Sequence, residues 1–307
     1  MRRVRYEASG GPEVLFLEET PAPAPDPAPG ELLVRTEAIG VTLPAVRKVR
    51  EGVGPLAGEV AGPVVAVGEG VTGFEPGDRV TGLCFSHAYA ELALLRQEFA
   101  SPVPEGASAA DAVALVRSGA VARGALEAGR VEKGDTVLVT AAASAIGSLA
   151  LQLARIRGAS RVVAAVSGAG KGEFVRGLGA DEVVLYGDES WGEPVDVVLD
   201  GVGGDVLGPA VRALAPGGRL VAFGSGGGSV DAYELLVRSA SVTGFQMAAL
   251  ARREPETYAR WIGELWERYD TGALRPRIFA EFPLTEAGRA HGVIEARGNR
   301  GKVVLLP

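Results

Sequence analysis

Cysteine is almost missing from this chain: among 307 residues Cys84 stands alone, and His87 and His291 are the only histidines. A disulfide within the chain is therefore impossible. A structural zinc site, which needs four ligands and usually two close cysteine pairs, cannot be filled either. Cys84 and His87 have a ligand-like spacing, but nothing completes the set, so a half-buried thiol and a loop imidazole are expected, with no metal. An excess of positive charge is also missing. Thirty-one Lys and Arg against 38 Asp and Glu leave a net charge of −7, which argues against nucleic acid or an anionic membrane surface as partner. After Met1-Arg2-Arg3-Val4-Arg5 comes Tyr6-Glu7 and no apolar core, so no signal peptide is expected. Residues 137–154 carry no charge and are long enough to suggest a membrane span. Their Ala, Ser and Gly content, with Gln152, reads instead as a buried strand and helix. The expectation is a cytoplasmic protein.

What the chain does have is a nucleotide-binding pattern in residues 135–200. Val137-Leu138-Val139 reads as a strand, Ala141-Ala142-Ala143-Ser144-Ala145-Ile146-Gly147 as a small-residue turn, and Leu149, Ala150, Leu153 and Ala154 as a helix face. Gly158 ends that helix and residues 162–166 form a second strand. A tight turn of small residues before a helix lets backbone N–H groups and the helix dipole hold a pyrophosphate. Further strands are expected at 183–185, 195–199, 220–223 and 242–245. Helices fit between them, with Gly179 and Gly217-Gly218 at their C-caps. Six strands joined by crossovers describe an α/β, doubly wound parallel sheet.

The flanks differ. Strand-like segments at 32–38, 60–67, 79–82 and 89–95 are separated by Gly and Pro turns, which suggests a small β-rich barrel or sandwich. The run Pro21-Ala22-Pro23-Ala24-Pro25-Asp26-Pro27-Ala28-Pro29 reads as an extended connector. An amphipathic helix is expected around 258–269, and a last strand at 302–306 that returns to the first domain.

Several motifs occur together and in order: Gly10-Gly11-Pro12-Glu13-Val14-Leu15, Val67-Gly68-Glu69-Gly70-Val71, Pro76-Gly77-Asp78-Arg79-Val80 and Ala88-Tyr89-Ala90-Glu91. Then come the turn at 141–147, Leu178-Gly179-Ala180-Asp181, Leu199-Asp200-Gly201-Val202-Gly203-Gly204 and Gly301-Lys302-Val303-Val304. With these residues the chain resembles, end to end, the zinc-independent quinone oxidoreductases of the medium-chain dehydrogenase/reductase superfamily. The resemblance implies a GroES-like catalytic domain over 1–115 and 247–307, a Rossmann domain over 116–246, NADPH as cofactor and a homodimer paired through 241–245. It implies hydride transfer to a small molecule: a quinone, or the activated double bond of an enone or enoyl compound. Without zinc, hydrogen bonds alone hold the developing oxyanion.

For the cofactor, the end of the second strand carries Ser167 where NAD selection needs a carboxylate. Ser167 and Lys171 suit a 2′-phosphate, the alternative being that Lys171 is a solvated charge at a helix start, and the resemblance adds Tyr186. The resemblance also puts Ala142, Ser144, Ala145, Ile146, Gly147, Gly201, Val202, Phe223, Gly224, Gly301 and Lys302 at the cofactor. Relatives have Gly at 144 and usually at 145, so Ser144 either crowds the phosphate or bonds to it. Relatives carry Asn and Asp where this chain has Thr42 and Ala45, Thr where it has Val121, and Tyr where it has Arg123. Thr42 keeps a hydroxyl that can orient a carbonyl. Arg117, where an apolar residue is usual, reads either as an oxyanion or carboxylate partner or as a surface residue. Tyr89 is either a proton donor or a core residue. Arg47, Lys48 and Arg50 read as a solvated basic face, Trp261, Trp266 and Tyr258 as packing, and His291 as structural. These departures leave a second reading open. It is a relative with degenerate cofactor chemistry, acting as a cyclase or isomerase or as an NADPH-responsive binding protein.

Overall fold

The structure, a computed structural model, describes residues 1–20 and 26–307; the first part of the proline-rich connector, 21–25, lies outside the described residues. The chain forms two compact units: unit 1 comprises Met1–Arg117, Glu254–Ile262 and Pro276–Pro307, and unit 2 comprises Ser118–Arg253 and Gly263–Arg275. Two segments expected in the first domain, 247–253 and 263–275, thus belong to unit 2.

Unit 1 begins with the antiparallel pair β1 (Arg2–Arg5) and β2 (Phe16–Glu19). There follow β3 (Glu31–Arg35), β4 (Ala38–Val41), helix α1 (Leu43–Glu51), β5 (Gly58–Val67), β6 (Arg79–Cys84), β7 (Leu92–Arg96) and β8 (Ala100–Pro102). Strand β7 starts at Leu92, so Tyr89 lies in the loop before it rather than in a strand. Helix α1 was not expected. Its signals are nonetheless in the sequence: Thr42 caps it, Pro44 sits in its first turn and Gly52, left-handed at φ 68°, ends it.

The long helix α2 (Ala109–Ala128) leads into unit 2. That unit contains β9 (Thr136–Val139), α3 (Ala145–Ile156), β10 (Arg161–Val166), α4 (Gly172–Arg176), β11 (Glu182–Leu185), β12 (Val195–Asp200), α5 (Leu207–Arg212), β13 (Leu214–Ala222), α6 (Ala232–Arg238), β14 (Ser241–Gly244) and α7 (Met247–Arg253). All neighbouring strands are parallel, in the order β11-β10-β9-β12-β13-β14. This is the doubly wound order, with its reversal at β9/β12. Its central strands are apolar on both faces because helices cover both faces; Leu138, Val163, Val198 and Leu220 are fully buried. Strand β13 starts earlier than expected. Leu214 pairs with Val195, and Gly217-Gly218 fall inside the strand beside a register shift rather than at a helix cap.

Helix α8 (Pro255–Asp270) follows, then β15 (Ile278–Pro283), α9 (Ala287–Glu295) and β16 (Lys302–Leu306). Strand β16 pairs antiparallel with β4, Val303 opposite Val41 and Leu305 opposite Ile39. The last strand thus completes the eight-stranded sheet of unit 1, ordered β15-β16-β4-β5-β3-β7, with β6 attached to β5 and β8 attached to β6. Its apolar face closes a core containing Ile39, Val41, Val60, Val303 and Leu305, against which α1 and α9 set Val49 and Ala290.

Candidate functional site

In unit 2 the loops at the carboxyl ends of the parallel strands gather most of the expected cofactor residues, as the reversal point of such a sheet requires. The turn after β9 folds tightly. Ala141 adopts a left-handed φ of 47°, and its amide donates to the Tyr186 hydroxyl at 2.8 Å. Ser144 caps α3, its hydroxyl accepting from the Gly147 amide at 3.0 Å. Gly147 has no room for a side chain: a Cβ there would lie 2.2 Å from the Ala141 carbonyl oxygen. Ala142, Ala145 and Ile146 complete this turn. Ser144 therefore serves the helix, satisfying an amide that would otherwise have no intrahelical acceptor.

Two further loops are tied to this turn. The Thr140 hydroxyl donates to Asp200 Oδ1 at 2.6 Å and accepts from the Gly201 amide at 2.9 Å. Asp200, buried, also accepts from the amides of Val202 and Gly203. Phe223 and Gly224, after β13, lie directly on this loop. A Cβ at Gly224 would stand 2.4 Å from the Gly201 backbone, and one at Gly201 would stand 2.9 Å from the Phe223 ring. Thr140 was not singled out in the sequence, and Asp200 was named only as part of the motif at 199–204. Their signal is positional, since each is the polar residue that terminates an apolar strand.

After β10, Lys171 Nζ donates to Ser167 Oγ at 3.1 Å on an exposed surface. No carboxylate occupies the end of that strand, and an open glycine, Gly168, follows Ser167 with nothing within 4 Å of a Cβ position. The donor set fits a phosphorylated ribose, and the position that takes a carboxylate for the 2′-OH of a bare ribose holds Ser167 instead. Tyr186 corrects the expectation in part: its oxygen is engaged by the Ala141 amide, so it braces the turn after β9.

Unit 1 brings a different group together. Lys302, 2% exposed, donates from Nζ to Glu59 Oε2 at 2.6 Å. Arg117 Nε lies 3.2 Å from the other carboxylate oxygen, Oε1, which accepts no directed hydrogen bond. Burial pushes the Lys302 ammonium below the usual lysine range, and Arg117 adds to this while Glu59 opposes it. Gly40 makes the space, since a Cβ there would lie 2.2 Å from Glu59 Oε2 and 2.7 Å from Lys302 Nζ. The expected role of Lys302 at the cofactor is corrected accordingly, because its ammonium is held in a buried ion pair. Gly301 is set by backbone demands, with φ 107° and a Cβ position 2.1 Å from the Arg277 carbonyl oxygen. Glu59 was also missed in the sequence. A lone carboxylate inside an apolar strand is a signal for a buried partner.

Thr42 is buried at the N-cap of α1, where its hydroxyl accepts from the Ala45 amide at 3.2 Å and retains a proton to donate. Tyr89 is corrected as a proton donor. It is 1% exposed, in the core of unit 1, and its hydroxyl shares a 3.1 Å hydrogen bond with His291 Nε2. Burial and the nearby Glu59 charge push its pKa well above the usual tyrosine range. Burial lowers His291 to about 4, so the imidazole is neutral at neutral pH. Cys84 is equally quiet: burial pushes the thiol up to about 12, and it donates to the Ser86 carbonyl. Among the described residues no three His, Cys, Asp or Glu side chains are placed to hold a metal.

Val121 is buried, and Arg123 is an internal brace of unit 2, bonded to Glu264 at 3.0 Å and Glu127 at 2.6 Å. The basic face of α1 is partly paired, through Arg50 with Glu295 and Lys48 with the Pro55 carbonyl. Trp261, Trp266 and Tyr258 are buried on α8.

Comparison with known proteins places these units. Residues 28–105 match the alcohol dehydrogenase GroES-like domain family, and residues 178–305 match the family described as zinc-binding dehydrogenase. A quinone oxidoreductase of Pseudomonas aeruginosa is 34% identical, covering 100% of this chain and 99% of its own. Two solved structures in complex with NADPH superpose over 100% of both chains. One is a mycobacterial protein, with TM-score 0.92 and 32% identity, and the other is an Escherichia coli quinone oxidoreductase, with TM-score 0.91 and 29% identity.

Proposed function

The chain belongs to the quinone oxidoreductase family of the medium-chain dehydrogenase/reductase superfamily, and from that premise we propose that it is an NADPH-dependent reductase. Its substrates are quinones, or enones and enoyl compounds with an activated double bond. The observation that carries the cofactor choice is the end of β10, where Ser167 and Lys171 form a donor pair and Ser167 stands at the position that holds a carboxylate for NAD selection. Ala142, Ser144 to Gly147, the Asp200-anchored loop with Gly201 and Val202, and Phe223-Gly224 form the rest of the cradle. When bound, NADPH supplies a hydride. Thr42 donates its hydroxyl proton as a hydrogen bond to the substrate carbonyl, where the oxygen becomes negative, and Arg117 offers its guanidinium to an anionic group of the substrate. With Tyr89 locked to His291, the final proton comes from water.

Thermal unfolding with each dinucleotide tests this. At about 100 times its dissociation constant a ligand adds roughly 2.7 kcal/mol, so NADPH raises Tm clearly and NADH does not. Lys171→Glu reverses that preference. An unchanged preference in the variant overturns the cofactor assignment.

One observation favours a second reading. The Ser144 hydroxyl occupies the Gly147 amide at the mouth of α3, a donor that a pyrophosphate otherwise uses. A protein that melts identically with NADPH, NADH and neither is a relative with a non-redox role.

The assembly we propose is a homodimer in the cytoplasm. Strand β14 is an exposed edge with Val242 outward, and the adjacent α6 buries none of its side chains, leaving Tyr233, Leu236 and Val237 more than 60% exposed. An unpaired edge beside an apolar face is a pairing surface. No helix among the described residues is long and apolar enough to cross a membrane.

A further inference from the structure

The buried ion cluster of unit 1 is unbalanced. Glu59 contributes one negative charge, whereas Lys302 and Arg117 contribute two positive ones. Lys302 is enclosed, but the Arg117 side chain is 23% exposed. Glu59 takes only the Nε side of Arg117, and its guanidinium has no other hydrogen-bond or ion-pair partner among the described residues. Its two Nη groups therefore present a free, planar fork. In the same unit the Tyr258 hydroxyl is buried and makes no hydrogen bond, and the charge of Arg117 acts on it. A buried hydroxyl without a partner is costly, and so is a positive charge in the same cluster that no carboxylate balances.

A carboxylate resolves both deficits. It matches the guanidinium fork with two parallel N–H···O bonds, accepts from Tyr258, and brings the cluster to neutrality with one charge. A phosphate dianion would overshoot to a net negative site. We infer that Arg117 and Tyr258 form a carboxylate-binding site, so that the substrate of this enzyme is an enone or quinone bearing a carboxylate. This deepens the reductase reading and rests on it for the reaction, though not for the binding. For a 4-oxo-2-enoate, the hydride from NADPH goes to C2 and the electron pair moves to the ketone oxygen. Water then protonates C3, giving the saturated 4-oxo acid and NADP+. Glu59 and Lys302 act through Arg117 as positioning residues: the carboxylate of Glu59 fixes the Nε edge, and Lys302 holds Glu59.

Two measurements test the site separately from the reaction. The first is binding of 4-oxopentanoate and 4-oxopentanamide without NADPH, followed by ligand-observed NMR. Wild-type protein binds the acid about 10- to 100-fold more tightly than the amide, the range of a charge-assisted pair. Arg117→Gln removes the difference and Arg117→Lys, which keeps charge but loses the fork, retains part of it. The second is the ratio of kcat/KM for 4-oxopent-2-enoate over its methyl ester, compared between wild type and Arg117→Gln so that intrinsic reactivity cancels. That ratio falls about tenfold or more in the variant.

Selective binding of the acid with no turnover of either substrate supports the carboxylate site and removes the reductase reading. Turnover of both with a ratio indifferent to Arg117 sustains the reductase and overturns the site. Should Arg117→Gln fail to fold, equal affinity of wild type for acid and amide overturns it as well.

Discussion

Tyr89 and His291 show how burial decides what a residue does. Tyr89 was read as either a proton donor or a core residue and His291 as structural, and the structure joins them in one enclosed hydrogen bond. The pair has a consequence for stability. His291 titrates near its ordinary 6.5 when unfolded and at about 4 when folded, so the unfolded chain binds the extra proton between those values. Stability is then complete above pH 6.5 and falls as pH drops toward 4, by up to about 3 kcal/mol from this group. Denaturant titrations of wild type and His291→Asn across pH 4–7 measure it, and the variant shows the flatter profile. An equal slope in both would remove His291 as the cause. The same logic separates Lys302 from its expected cofactor role: an ammonium enclosed against Glu59 is a structural charge whose partner cannot be deleted cheaply.

Among the elements, α3 shows what the turn at 141–147 demands. The helix packs against the sheet only because Gly147 lacks a Cβ, and Ser144 holds its first turn. Gly147→Ala drives a methyl into the Ala141 carbonyl, costing about 1–3 kcal/mol by overpacking, and shifts the cofactor turn. Urea unfolding reads the stability loss, and the NADPH-dependent rise in Tm disappears with it. Element types in unit 2 were legible because apolar runs, small-residue turns and capping glycines agree there. Helix α1 was missed although Thr42, Pro44 and Gly52 mark its ends, because its nine residues are short and mostly charged on the outer face. The start of β13 was missed because Pro216-Gly217-Gly218 reads as a stop, while pairing with β12 carries the strand through it.

At the scale of the molecule, assembly is the open property, and it has a direct test. Light scattering of the wild type gives the mass of two chains, and Leu236→Glu combined with Val242→Lys gives that of one; a wild-type monomer would overturn the proposal. The sequence by itself determined the doubly wound α/β unit, the β-rich unit that both termini build, the scarcity of cysteine and histidine and the absence of an acid at the end of β10. Each of these is written locally, in periodicity, residue count or the identity of one position. Tertiary structure alone decided the partners of buried polar groups: Glu59 with Lys302 across 243 positions, Tyr89 with His291 across 202, Thr140 with Asp200 across 60. A charge or hydroxyl must be satisfied once it leaves water, but nothing local in the chain says by which distant residue. That is why the excess positive charge at Arg117 becomes visible only when the strands carrying Glu59 and Lys302 come together.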